Sequence, residues 1–335
     1  MSGSESKTDV KTMALRVGAV VLALILLLST GLFLVKLWER NFGQKPEAPE
    51  TLDRTLSYNG KSYVLKENLE TFLVLGLDKA DNQDSGSYNN DKQADFLVLF
   101  VFDNEEKSCK AIQINRDTMV EMNVLGVAGD KVGSYYGQIA LSHTFGNGKE
   151  VSCGNTAKAV SGLLMGAEVD HYLSVTLDAV AVCNDLVGGV TVEVLDDLTS
   201  VDAALVKGET VTLQGKQALW YVRSRYGLED PTNLGRMKRQ QQYVDALRQK
   251  SRLMAEQDES FVAKAVLEMA EYMVSDCSTT RLQSLLERVS SYAHQSMIQI
   301  EGTSVQGERF MEFYPDRDSL TQTVIECFYV ERDEK

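Results

Sequence analysis

The chain has 335 residues, 44% of them hydrophobic, which suffices for a packed core and excludes a disordered or fibrous chain. Its 48 Asp+Glu outnumber 34 Lys+Arg for a formal charge of −14, so no nucleic acid is expected as a partner. Five widely spaced cysteines without a CxxC pair argue against zinc-ribbon and redox motifs; they read as buried apolar thiols, with one disulfide open to them outside the cell.

The first element is the uncharged run Val17–Val35, close to the roughly 20 residues that cross a bilayer as a helix. Lys36, Trp38 and Arg40 follow it as interfacial anchors, whereas a cleaved signal peptide has a core of about 7–15 residues and a small-residue cleavage site. The expectation is one uncleaved signal-anchor span at residues 13–37, behind a cytoplasmic tail at residues 1–12. Basic residues flank both ends of the run and barely discriminate orientation. The short tail is therefore placed in the cytoplasm, and the large domain is expected to be extracytoplasmic on a single-pass membrane anchor. Residues 38–68 follow as a stalk and a small hairpin, RTLSYNGKSYVLKE, whose Asn59-Gly60 pair predicts a type I′ turn.

Residues 69–333 are expected to form the main domain. Three apolar runs open it: TFLVLGLD (71–78), DFLVLFVF (95–102) and KSCKAIQINRD (107–117). If they pair up, down and up, then Asp78, Asp95 and Arg116 meet on one edge of a sheet. Helices are predicted at 155–166 and 177–189, with strands at 171–177 and over VTVEVL. The segment LQGKQALWYVRSR is read as a strand leading to a long helix at 234–254. Further helices are expected near 259–274 and 279–294, and final strands around 309–314 and 323–331. This alternation gives an α/β (α+β) class, a mixed central sheet flanked by helices.

The segment YVRSRYGLEDPTNLGRMKRQ gathers cations in an acidic protein. On a strand Arg223 and Arg225 share a face, and a helix starting after Pro231, capped by Thr232 or Asn233, carries Arg236, Lys238 and Arg239 in its first turns. Cations there oppose the partial positive charge of a helix N-terminus, unless an anion sits between them. Arg236 with Gln240 one turn on, and the two forked guanidiniums, suit a phosphate or pyrophosphate. Lys238 and Arg239 also fit a solvated basic face. Asp78 and Asp95 read either as strand-end carboxylates or as ligands of magnesium, which takes one or two carboxylates plus phosphate oxygens. His143 and His171 have no partner at metal spacing, and with His294 they read as core or surface residues. Met254, Met269 and Met273 read as helix packing.

In order along the chain stand GLD (76–78), AD (94–95), RDT (116–118), DHY (170–172), LVGGVTVEV (186–194), LQGKQALWYVRSR (213–225) and GRMKRQ (235–240). From about residue 70 to 330 this set resembles the LytR-CpsA-Psr family of bacterial membrane-anchored enzymes. The resemblance implies transfer of a phosphorylated glycopolymer, such as teichoic acid or capsular polysaccharide, from a polyprenyl-pyrophosphate carrier to a peptidoglycan hydroxyl, assisted by Mg2+. By motif match it implies Asp78 and Asp95 as metal carboxylates. Arg116, Arg223 and Arg225 become catalytic, and Lys79, Arg236, Arg239 and Gln240 substrate-binding. Asp117 becomes either the partner that orients an arginine or a base for the acceptor hydroxyl. An apolar tunnel between sheet and helices is expected to take the lipid, though no periodicity marks its lining.

The chain departs from the family pattern in three places. Lys79 stands where an arginine is common, and Thr232-Asn233-Leu234 replaces an expected Asp before the Gly-Arg pair. Gln138-Ile139-Ala140 replaces a Lys-Ile-Asn run, so one expected cation is missing, with Lys131 as a distant substitute. A membrane-anchored regulator or glycan-binding module without turnover, or a simple polyprenyl-pyrophosphatase, is the alternative function.

Overall fold

The computed structural model describes residues 51–77, 92–224, 233–294 and 297–332. The Val17–Val35 run, Asp78, Lys79, Arg225 and the His294 side chain lie outside the described residues. Among the described residues no helix is long and apolar enough to cross a membrane.

The Asn59-Gly60 turn joins β1 (Thr55–Tyr58) to β2 (Lys61–Leu65), and both turn residues have positive φ, 49° and 76°, as a type I′ turn requires. Strands β3 (Leu69–Leu77), β4 (Ala94–Asp103) and β5 (Ser108–Ile114) pair antiparallel in sequence, Leu73 opposite Leu99 and Leu99 opposite Ile112. Their unbroken apolar runs follow from burial of both faces. Leu73, Leu75, Leu97 and Ile112 belong to one core cluster, whereas Phe72, Val98, Phe100 and Ala111 belong to another.

After β5 come the hairpin β6 (Met119–Leu125) and β7 (Lys131–Gln138), a 3-10 turn at Ile139–Thr144, and helix α1 (Glu150–Leu163). Next are β8 (His171–Thr176), α2 (Asp178–Leu186), β9 (Val190–Glu193), β10 (Thr210–Leu213) and α3 (Lys216–Arg223). The chain continues through α4 (Leu234–Gln257), α5 (Phe261–Met269), β11 (Met273–Ser275) and α6 (Thr279–Ser291). It closes with the short strands β12 (Ala293–His294) and β13 (Ile298–Gln299), the hairpin β14 (Gly302–Gln306) and β15 (Met311–Pro315), then α7 (Arg317–Phe328) and β16 (Tyr329–Glu331).

The central sheet has the order β11-β8-β3-β4-β5-β12, with β13 also on β5. Strand β8 joins β3 in parallel, so the sheet is mixed, as expected. Val160 and Leu163 of α1 and Val324 and Phe328 of α7 join the cluster on one face. Val266 of α5 and Leu282 and Leu285 of α6 join the cluster on the other. A third cluster joins β9, β10 and α3 to α4 through Val190, Leu213, Tyr221 and Tyr243.

Two expected strands are helices. The segment 323–331 is mostly α7, because Asp316 caps it by accepting from the Ser319 amide at 2.8 Å. Its buried Val324, Cys327 and Phe328 fall at helical spacing, which outweighs the β-propensity of the run. The LWYVR run is likewise α3, which buries Ala218, Tyr221 and Val222 on one side. Among the described residues the five cysteines are unpaired, and Cys109, Cys153 and Cys327 are buried.

His143 belongs to the core. Its Nδ1 lies 3.0 Å from the Lys92 carbonyl oxygen, so that nitrogen carries the proton and donates it. Burial pushes its pKa down to about 4 from the ordinary 6.5. Below pH ~6.5 the unfolded chain binds a proton there that the folded chain refuses until about pH 4. The stability His143 allows near neutrality is therefore lost as pH falls through that window, by about 3 kcal/mol in total. Urea midpoints at pH 7.5 and 4.5 should fall less in His143→Gln than in the wild type; equal losses would contradict the buried neutral imidazole.

Candidate active site: a carboxylate between two guanidiniums

The up, down, up order of β3, β4 and β5 brings the start of β4 beside the end of β5. Asp95 is the second residue of β4, and Arg116 follows the end of β5 by two positions. Arg116 Nη1 donates to Asp95 Oδ1 in a close ion pair, Nη2 donates to Gln93 Oε1, and Nε lies 3.4 Å from Asp117 Oδ1.

Arg236, in the first turn of α4, approaches from the other side. Its Nη1 is 3.3 Å from Asp95 Oδ2, and its Nη2 is 3.4 Å from the Asp95 carbonyl oxygen. Asp95 is 5% exposed, Arg116 6% and Arg236 2%, so one carboxylate sits between two guanidiniums away from water. Asp117 adds a second carboxylate beside Arg116, so the buried charges form a network around Asp95.

The turn that presents this set was not anticipated. Asn115 accepts from the Asp117 amide through Oδ1 at 3.0 Å, while its carbonyl accepts from Thr118 Oγ1 at 2.6 Å. Asn233, just before α4, donates to Asn115 Oδ1 at 3.1 Å and so joins the β5 turn to the Arg236 helix. The sequence signal was the Asn preceding Arg-Asp-Thr, since Asn favours such side-chain turns. As N-cap of α4, Asn233 makes no side-chain capping bond.

Gln138 fills the place of the missing cation differently from a lysine. Its Nε2 donates to Asp117 Oδ1 at 2.7 Å and to the Met311 carbonyl at 2.8 Å, so Asp117 keeps a donor although the charge is gone. The structure thus brings together Asp95, Arg116, Asp117 and Arg236.

Three other expected residues stand differently. Arg223 is the last residue of α3, a helix rather than a strand, and is half-buried. Gln240, one turn after Arg236, donates to the Val222 carbonyl at 3.3 Å. Arg239 is fully buried and turned into the protein. It donates through Nε to the Tyr221 carbonyl at 2.9 Å, through Nη1 to Asp196 and through Nη2 to the Ser224 carbonyl. It ties α3 to α4 instead of facing a ligand. Arg239→Met should lower stability by about 3–5 kcal/mol by leaving Asp196 and two carbonyls without their donor. A denaturant midpoint within error of wild type would contradict that role.

On the sheet face shared by Phe72, Val74 and Phe96 lies an apolar cavity of about 330 Å³. Phe96, next to Asp95, and Gln240, one turn from Arg236, line its near end; Phe100, Arg248 and Leu286 line it farther on. From Gln240 to Ser251 along α4 it extends about 16 Å. Its length and apolar lining suit an elongated hydrocarbon group.

The LytR_cpsA_psr family profile matches residues 41–327, and the chain belongs to that family. It is similar to polyisoprenyl-teichoic acid–peptidoglycan teichoic acid transferase TagV of Bacillus subtilis (strain 168), 29% identical over 232 residues, which cover 67% of this chain and 55% of that protein. Biofilm regulatory protein A of Streptococcus mutans is 22% identical over 241 residues, 69% of this chain and 55% of its own length. The chain thus spans about half the length of these two relatives. The crystal structure of B. subtilis TagV superposes with a TM-score of 0.56 at 25% identity, covering 77% of this chain and 96% of that one.

Proposed function

We propose that this protein transfers a phosphorylated glycopolymer from a polyprenyl-pyrophosphate carrier to a peptidoglycan hydroxyl, at the outer face of the membrane that anchors it. The observation that carries this is the buried Asp95 between Arg116 and Arg236, near an apolar cavity whose lining includes Phe96, the residue after Asp95, and Gln240, one turn after Arg236. The carrier's hydrocarbon tail would lie in the cavity, with its diphosphate at the arginines.

The diphosphate would draw Arg116 and Arg236 from Asp95 onto its own oxygens. The acceptor hydroxyl then attacks the phosphorus nearer the sugar, the bridging P–O bond breaks, and polyprenyl phosphate leaves with the electron pair, the hydroxyl proton passing to the departing phosphate or to solvent. Guanidiniums aimed at the bridging and leaving oxygens stabilise the charge that develops there. Asp117, held by Gln138 and facing Arg116 Nε, is set to orient that arginine, the first of the two roles expected for it.

Asp95 offers the hard oxygen donors that Mg2+ prefers, and its release from the arginines would free them for the ion. Asp95, with Asp78, would then hold magnesium, which supplies further charge neutralisation at the diphosphate. A second reading follows from the relative named as a biofilm regulatory protein, that this chain binds the carrier without turnover.

The test is the purified protein with magnesium, a polyprenyl-pyrophosphate saccharide and peptidoglycan fragments. Transfer predicts equal amounts of polyprenyl phosphate and glycosylated acceptor. Carrier binding with neither product supports the regulator, and released phosphate with no modified acceptor supports a pyrophosphatase.

A further inference from the structure

The sheet edge opposite Asp95 holds a second cluster of polar groups. There β3 and β8 begin and β11 ends, which brings Glu70, His171, Asp276 and Cys277 together from distant parts of the chain. His171 lies between two carboxylates: Nε2 is 3.6 Å from Glu70 Oε1, and Nδ1 is 3.6 Å from Asp276 Oδ2. Nδ1 is buried and has no hydrogen-bond partner. Cys277 Sγ is 3.6 Å from Asp276 Oδ1, and one donor atom from each of His171, Asp276 and Cys277 lies within 4.8 Å of the others.

Zinc with bonds of about 2.0–2.3 Å in a tetrahedron sets its ligand atoms roughly 3.3–3.8 Å apart. The 3.6 Å between His171 Nδ1 and Asp276 Oδ2 matches such an edge and is too long for a nitrogen–oxygen hydrogen bond, while the Cys277 thiol lies against the other oxygen, Oδ1, in a sulfur hydrogen bond of 3.6 Å that a metal would replace. The surroundings are also those of a metal-bound histidine. A carboxylate, Glu70, faces the other ring nitrogen, and Glu70 is itself held by Arg288 at 2.8 Å and by Arg281. The Tyr172 amide donates to Asp276 Oδ1 at 3.0 Å and fixes that carboxylate.

We propose that His171 Nδ1, Asp276 and Cys277 form a zinc site, with Glu70 orienting the imidazole and a fourth position open to water. One nitrogen, one oxygen and one sulfur donor select zinc over magnesium, so this site is chemically distinct from the carboxylate at the other edge. On binding, the Cys277 thiol proton leaves to solvent and a zinc–thiolate bond forms. The ion pins the corner between β11 and α6, and on either side of that corner Met273 and Leu286 line the apolar cavity.

The experiment uses the full-length protein, freed of metal by chelation and titrated with Zn2+ and with Co2+ as a spectroscopic probe. The expected result is one ion per chain, with cobalt giving tetrahedral absorption bands and a thiolate-to-metal charge-transfer band. Cys277→Ser should abolish that band and weaken zinc at least about 100-fold, beyond the 10–100-fold usual for outer-shell changes. Asp276→Asn, a milder change, should weaken zinc while retaining the sulfur band, and excess Mg2+ should leave the spectrum unchanged. No saturable binding by the wild type, binding undiminished in Cys277→Ser, or displacement by magnesium would overturn the proposal. None of these readouts depends on transferase activity.

Discussion

Asp95→Asn is expected to cut glycopolymer transfer by about 100-fold or more and to lower stability by about 3–5 kcal/mol. The amide keeps the shape and one acceptor but removes the negative charge that Asp95 shares with both Arg116 and Arg236, which are 6% and 2% exposed. The two buried guanidiniums then lose the carboxylate that lies between them. Added inorganic pyrophosphate should restore that charge, so it should raise the melting temperature of Asp95→Asn more than that of the wild type. An equal or smaller rise in the variant would mean that Arg116 and Arg236 do not exchange Asp95 for phosphate oxygens.

Val244→Trp should have the second large effect. Val244 faces the apolar cavity from α4, and an indole there would occupy much of its width. Turnover of a long polyprenyl carrier should fall at least tenfold, while a carrier analogue with a short tail should react nearly as in the wild type. Overpacking costs typically 1–3 kcal/mol, which a denaturation curve would register separately. Loss of both reactions alike, with stability intact, would show that the tail does not lie in this cavity.

The convergence of Asp95 with Arg116 was legible in the sequence because it needs only strand direction. The second and third runs are joined by a short turn, and once the first is taken as antiparallel to the second, charged residues at alternate ends meet. The direction of Arg239 was not legible. Along GRMKRQ, Arg236 and Gln240 lie about 40° apart around the helix, and Arg239 is about 60° to the other side of Arg236. Which of these arcs faces a ligand depends on where α3 packs, and α3 itself was hidden because Trp220, Tyr221 and Val222 favour strands when judged locally.

Gln138 shows a different limit. Family pattern marks it as a lost charge, yet its bond to Asp117 shows that the position can supply a donor rather than a cation. His171 shows a third. No spacing in the chain connects it to Asp276 and Cys277; only the pairing of β8 with β11 does.

Strand β16 pairs with β2, Val330 opposite Val64, and the Tyr329 hydroxyl donates to the Asp53 carbonyl at 2.7 Å. A two-stranded hairpin by itself is marginal in water, and the third strand is what completes this small sheet. The hairpin thus draws its third strand from a segment far away in the chain, and removing Tyr329–Glu331 would leave the β2 edge unpaired and open to a strand from another molecule.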